Sequence, residues 1–319
     1  SWSQIGQDID GEAINDYSGY SVSLSSDGNT VAIGAYKNGS SAGHVRIYEN
    51  ISGSWSQIGE DIDGEATVDY SGYSVSLSSD GNTVAIGAFL NDGSGSDAGH
   101  VRIYENISGS WSQVGEDIDG EAPGDYSGCS VSLSSDGNTV AIGAYKNDVG
   151  HVRIYQNISG SWSQIGQDID GEAADDNSGW SVYLSSDGST VAIGAYKNDG
   201  NGPNAGHVRI YENILGSWSQ IGNDIDGEAT TDYSGYSVSL SSDGNTVAIG
   251  AFLNDGNGSD AGHVRIYENS AGSWSQIGQD IDGEAADDYS GCSVSLSSDG
   301  NTVAIGAYKN DGNGPNAGH

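Results

Sequence analysis

Apolar and polar residues alternate along this chain with a period of two. Tyr20, Val22 and Leu24 alternate with Ser21, Ser23 and Ser25. Val31 and Ile33 alternate with Ala32 and Gly34, and Val45 and Ile47 with His44, Arg46 and Tyr48. Such runs predict short strands with one buried face, and no segment carries a convincing 3.6-residue stripe. Asp27-Gly28-Asn29, between the first two runs, predicts a tight hairpin, because Gly and Asn tolerate positive φ. A fourth short run, Ser1 to Gly6, carries Trp2 and Ile5. Four antiparallel strands are therefore predicted in about 54 residues.

The same set recurs in tandem. Trp stands at positions 2, 55, 111, 162, 218 and 274, so repeats start near 1, 54, 110, 161, 217 and 273. Length differences fall in the loop before the recurring Gly-His. One sheet of this size cannot bury both its faces, so each copy must stack on its neighbours. The fold expected is all-β: a β-propeller of six four-stranded blades in one repeat domain spanning 1–319. Parallel β-helices have shorter coils without hairpin-linked runs, and separate sandwiches would leave sheet faces bare.

The chain stops at His319, where a sixth Val-Arg-Ile-Tyr run would follow. Even if the Trp2 strand joins the last blade, that blade is expected to lack one strand, and an open edge invites pairing. Three readings follow: a truncated closed ring, a window of a longer array, or a gap filled by a strand from another copy. The absence of Met fits a processed product or such a window.

Tyr17-Ser18-Gly19-Tyr20-Ser21-Val22, then Val31-Ala32-Ile33-Gly34-Ala35, then Gly43-His44-Val45-Arg46-Ile47-Tyr48 resemble the FG-GAP repeat. The resemblance recurs over essentially the whole chain, with Tyr36, Phe89 and Tyr145 in place of the motif's Pro. It implies the propeller of integrin α-subunits and of bacterial surface proteins. Blades of that kind often carry a calcium loop between the first two strands. Here that stretch is only Ser25-Ser26-Asp27-Gly28-Asn29, too short for such a loop, so that site does not carry over.

Composition narrows the partners. Of the charged residues 45 are acidic and 9 basic, a net charge of −36, which repels nucleic acid and anionic lipid. No run approaches the apolar length that spans a bilayer, so membrane insertion is not expected. With 7 Trp and 18 Tyr the chain is too aromatic for a disordered acidic segment. Cys129 and Cys292 allow one bridge at most. The acidity and scarcity of Lys fit an extracellular or cell-surface setting.

The candidate chemistry is acidic. Asp8, Asp10, Glu12 and Asp16 recur as Asp61, Asp63, Glu65 and Asp69, then Asp117, Asp119, Glu121 and Asp125. They recur again as Asp168, Asp170, Glu172 and Asp176, then Asp224, Asp226, Glu228 and Asp232, and finally Asp280, Asp282, Glu284 and Asp288. Carboxylates clustered about a Gly turn suit a hard cation with oxygen ligands, so Ca²⁺ is the expected cofactor; solvated acids and turn caps explain the same pattern. Asp92 to Asp97 and Asp255 to Asp260 form a second, Gly-rich candidate, which also reads as a plain hairpin tip. His44 and its equivalents, once per repeat, are expected to hold the start of a strand. Arg46 is expected to pair with acids, and Trp2 and its equivalents to plug blade edges, with sugar binding as the other reading. Glycosylation sequons occur at Asn38, Asn50, Asn106, Asn157 and Asn257.

No catalytic motif breaks the repetition, and near-identical blades single out no residue for a reaction. The leading expectation is a non-enzymatic extracellular structural or adhesive protein. It would self-associate end to end through the incomplete blade or the continuing chain. The other reading is a propeller that binds protein or glycan with calcium.

Overall fold

The computed structural model describes residues 3–146, 148–312 and 314–319. Its packing falls into two units, Ser1–Asn147 with Ile154–Gln164, and Asp148–Arg153 with Ile165–His319. The fourth predicted strand of the first repeat, that of Trp2, falls partly outside the described residues.

In the first unit, β1 (Ser21–Leu24), β2 (Thr30–Ala35), β3 (His44–Ile51) and β4 (Ser54–Gln57) form an antiparallel meander. A two-residue strand, β5 (Ile62–Asp63), pairs beside β4 on the same edge of β3. β3 is long enough to serve both partners. Its first residues pair with β5 (His44 with Asp63, Val45 with Ile62), and its second half pairs with β4, from Tyr48 opposite Gln57 to Ile51 opposite Ser54. The second sheet repeats this with β6 (Ser74–Leu77), β7 (Thr83–Ala88), β8 (His100–Ile107), β9 (Ser110–Gln113) and β10 (Ile118–Asp119).

The Ser-Trp strand thus joins the Val-Arg-Ile-Tyr strand of the preceding repeat, so each sheet straddles a repeat boundary. Trp111 fixes the overlap: its indole N–H donates to the Ile58 carbonyl at 3.0 Å, as Trp55 does to Ile5. In the second unit Trp218 and Trp274 donate to Ile165 and Ile221 in the same way.

The core lies between successive sheets. In the first unit Ala32, Val45, Ile47 and Ile62 pack against Leu77, Val84 and Ile86. One sheet further on, Ala85, Val101, Ile103 and Ile118 meet Val131, Leu133, Val140 and Ile142. Each buried Ile or Val side chain contributes about 1.5–3 kcal/mol. Close approach needs glycine at one recurring place: a Cβ on Gly87 would lie 2.0 Å from the Gly128 carbonyl oxygen.

The third repeat is divided between the units. Residues 130–144 and 154–164 lie in the first, where Tyr155 pairs with Gln164, while His151 pairs with Asp170 in the second. The second unit holds two further complete sheets, spanning residues 181–226 and 237–282. Ala192, Val208, Ile210 and Ile225 pack there against Val238, Leu240, Val247 and Ile249. The sixth sheet has two strands, Ser290–Leu296 and Val303–Ala307.

Candidate metal centre

The strand β3 begins with His44, which pairs with Ala35 on one side and Asp63 on the other. This position buries the imidazole almost completely. Two carboxylates approach its Nδ1: Glu12 at 3.8 Å, from the turn before β1, and Asp61 at 3.5 Å, from the residue before β5. In the second sheet His100 faces Glu65 at 3.9 Å and Asp117 at 3.6 Å. In the second unit His207 faces Glu172 at 3.8 Å and Asp224 at 3.9 Å. Glu228, His263 and Asp280 bring one ligand atom each within 4.8 Å of one another.

These separations exceed hydrogen-bond lengths. They approach the spacing of two donors on one small cation, since bonds of 2.0–2.2 Å at the tetrahedral angle set neighbouring donors about 3.3–3.6 Å apart. His207 Nδ1 is buried and has no hydrogen-bond partner. Burial, reinforced by the Arg102 and Arg209 guanidinium groups, holds the imidazoles of His100 and His207 down to a pKa of about 4, and His263 is lowered for the same reasons. These rings are therefore neutral at pH 7 and keep a lone pair for a metal. These His and carboxylate groups form a set that could hold a metal ion.

The aspartate of each triad is held from behind. Gln57 Nε2 donates to one oxygen of Asp61 at 2.7 Å, while the other oxygen faces His44. Gln113 holds Asp117, Gln220 holds Asp224 and Gln276 holds Asp280, at 2.6, 2.6 and 2.7 Å. Gln4 does the same for Asp8 at 2.7 Å. Sequence reasoning passed over this Gln, although it recurs four residues before the aspartate.

The four acids of each motif therefore do different things. The first and the Glu reach a histidine, but not together: Glu12 meets Asp61, which belongs to the next repeat. The second, as Asp63, Asp119, Asp226 and Asp282, is a strand residue opposite the histidine. The carbonyls of Asp10, Asp63, Asp170 and Asp226 each accept an arginine Nη2 at 2.6–2.7 Å, and Arg102 and Arg265 also pair with the carboxylates of Glu65 and Glu228 at 3.8 Å. The fourth is a buried turn cap. Asp16 and Asp69 each accept the N–H three residues before them at 2.9 Å and an Asn side chain at 3.0 Å. Asp125 takes the Glu121 and Ala122 N–H groups, Asp232 that of Ala229 and Asp288 that of Ala285, and Asp176 takes the Asn198 side chain. Of the third-repeat acids, Glu121 lies in the first unit and Asp168 in the second. Glu284 contributes its carbonyl to Asn257.

The other candidates are used locally. Asp27 accepts the Ser25 hydroxyl, the Asn29 N–H and the Asn29 side chain at 2.7–2.9 Å, which lowers its pKa to about 2. The position of the family's calcium loop is thus a closed turn. Asp92 and Asp255 bind the N–H groups of Asp97 and Asp260 across their own loops. Asn50, Asn106 and Asn157 accept the N–H of the glycine that closes their turn at 2.8 Å. Asn213 and Asn269 do so without a sequon. Asn38 and Asn257 use their Nδ2 as donors, to Asp16 and Gly283. The Cys129 and Cys292 thiols donate to the carbonyls of Gly143 and Gly306 at 3.4 and 3.3 Å, and burial pushes the Cys129 thiol up to about 12. No helix among the described residues is long and apolar enough to cross a membrane.

Comparison with solved structures defines the class. The periplasmic gluconolactonase PpgL of Pseudomonas aeruginosa superposes with a TM-score of 0.60 and 16% identity, over 91% of this chain and 78% of that one. A putative 6-phosphogluconolactonase of Bacteroides fragilis gives 0.58 and 13%, over 88% and 72%. A functionally unknown protein of Desulfotomaculum acetoxidans gives 0.55 and 15%, over 81% and 68%. The fold is an all-β propeller of five repeated sheets and a partial sixth. The family model of the FG-GAP repeat matches residues 169–211, 225–267 and 281–319, and the propeller fold is consistent with such repeats. No curated protein matches the sequence.

These neighbours correct one expectation. A non-enzymatic structural or adhesive role was inferred because repeated blades single out no catalytic residue. Solved structures of this fold include proteins named as lactonases, so repetition is no ground for excluding catalysis. Nothing in the comparisons points to adhesion.

Proposed function

We propose that this FG-GAP propeller is a metal-dependent hydrolase acting on lactones, cyclic esters of the sugar-acid type. The observation that carries the reading is the triad of one buried histidine and two carboxylates. Three protein donors match the donor number of catalytic sites, whereas structural zinc sites are filled by four. The triad opens outward: the side chains of Glu12 and Asp61 are 47% and 27% exposed, that of His44 only 2%. One nitrogen and two carboxylate oxygens suit Zn²⁺ or Mn²⁺ better than Ca²⁺, which prefers an all-oxygen shell. The proposal therefore moves from calcium to a borderline cation at a different subset of the acids.

Such an ion polarises an ester carbonyl and acidifies a water. The protein's own part is to hold the donors. His44 is locked in place by strand pairing, Asp61 is oriented by Gln57, and Glu12 completes the set from the adjoining turn. The open side admits water and the ring carbonyl. Water adds to the carbonyl carbon, the ring C–O bond breaks, and a hydroxy acid leaves with release of a proton. The kinship in fold with lactonases is what suggests the substrate class.

The test follows proton release from glucono-δ-lactone in a pH-stat. Hydrolysis should exceed the spontaneous rate, fall to it with a chelator and return with Zn²⁺ or Mn²⁺. A rate equal to the spontaneous one under every metal condition would refute the proposal.

A further inference from the structure

The four lysines of the chain, Lys37, Lys146, Lys197 and Lys309, occupy one position of the repeat, directly after an aromatic residue. The arginines Arg46, Arg102, Arg153, Arg209 and Arg265 are buried, so the lysines supply the accessible positive charge of a chain carrying −36. Each lies over a ring. Lys37 Nζ is 4.3 Å from the Tyr17 centroid, Lys309 Nζ is 4.1 Å from that of Tyr289, and Lys197 Nζ is 5.5 Å from that of Tyr196.

The rings form a row within each unit. In the first, Tyr20, Tyr36, Tyr73 and Phe89 follow one another with centroids 4.7, 5.5 and 4.4 Å apart. In the second, Trp180, Tyr196, Tyr236 and Phe252 follow at 5.0, 5.5 and 4.3 Å. The rows reach the surface: Tyr36 is buried, but Tyr17 and Tyr20 are half exposed, and the Tyr20 and Tyr73 hydroxyls share a hydrogen bond of 3.0 Å there.

We propose that these aromatic–lysine rows bind a small sugar acid carrying one carboxylate. An exposed ring face takes the C–H face of a pyranose or polyol, tyrosine hydroxyls answer its hydroxyl groups, and a lysine answers its carboxylate. Complementary charge selects an anion. The large negative charge of the whole chain repels a polymer of anions, which leaves a short, singly charged ligand. The row lies at the sheet end that carries the triads, since Tyr36 follows Ala35, the partner of His44. The inference rests on rings and lysines alone and stands whether or not a triad hydrolyses a lactone.

Calorimetric titration of the chelator-treated full chain separates the terms. Gluconate should bind at least about tenfold more tightly than glucose, which lacks the charge, or acetate, which lacks the polyol. Raising the salt should weaken it, because the lysines are accessible. Replacing all four lysines with glutamine should abolish the preference for gluconate over glucose, with circular dichroism showing the strands intact. If that variant does not fold, Lys309→Gln alone should weaken gluconate binding. Equal binding of gluconate and acetate, no salt dependence, or equal binding of an acidic peptide would overturn the proposal.

Discussion

The hairpin turn at residues 78–82 and the triad of Glu65, His100 and Asp117 belong to the same sheet, and each is built around an aspartate. Asp80 in the turn accepts the Ser78 hydroxyl, the Asn82 N–H and the Asn82 side chain at 2.7, 3.0 and 3.1 Å. Partial burial works against ionisation there, but the hydrogen bonds win and its pKa is lowered. Asp117 in the triad takes the Gln113 side chain on one oxygen and turns the other toward His100 at 3.6 Å. The turn spends its charge on its own backbone. The triad leaves donor atoms facing one another at a distance a cation would bridge. In so acidic a chain, what separates scaffold from site is how many protein donors each carboxylate already satisfies, not how many carboxylates stand together.

The largest way to probe the satisfied side is Asp69→Ala. Asp69 is buried and accepts the Ala66 N–H and the Asn91 side chain, so the change strands two donors. We expect a loss of about 2–4 kcal/mol, read as a lower urea midpoint with and without metal. Asp80→Ala removes a more exposed cap and should cost about 1–2 kcal/mol, with metal content unchanged. A fall in bound metal in that variant would blur the distinction between turn and triad.

Acid should separate the two regions next. The folded-state values of His100 and His207 lie near 4, below the ordinary 6.5, so the unfolded chain takes up protons first as pH falls. Their contribution to stability is complete above about pH 6.5 and is lost as pH falls toward 4. The turn aspartates Asp80 and Asp136, with values below 3.8, hold theirs until pH falls below that point. Urea midpoints of chelator-treated protein should therefore begin to drop below pH 6.5, and His100→Asn should flatten that limb. The smallest effect on stability is expected for Gln113→Ala, within about 0.5 kcal/mol. Because Gln113 orients Asp117, the same change should weaken metal binding at that triad by about 10–100-fold.

Much of the fold was legible because it depends on period-two burial. Val45 and Ile47 lie in the core as predicted, but His44 and Arg46 between them are buried as well, so the head of β3 departs from one-sided burial; Gly87 stands where a neighbouring backbone passes. The two-residue strands such as Ile62–Asp63 were not legible, since Asp-Ile-Asp is too short for its alternation to be told from a loop. The site was half legible. The acids were marked, but sequence proximity grouped Asp8, Asp10, Glu12 and Asp16, whereas strand pairing joins Glu12 to Asp61 and His44. The signal that could have found the histidine was its fixed place at the head of β3, on the strand that Asp63 flanks. At the place of the related family's calcium loop, Asp27 closes its own turn.

Metal analysis of the His207→Asn chain, after loading with Zn²⁺ or Mn²⁺ and dialysis, tests the central claim most directly. His207 Nδ1 is a buried nitrogen without a hydrogen-bond partner, and it faces Glu172 and Asp224. The account predicts that the parent chain retains bound metal and that the variant holds one equivalent less with its strands intact. A parent chain that retains no metal, or a variant that retains as much as the parent, would contradict it.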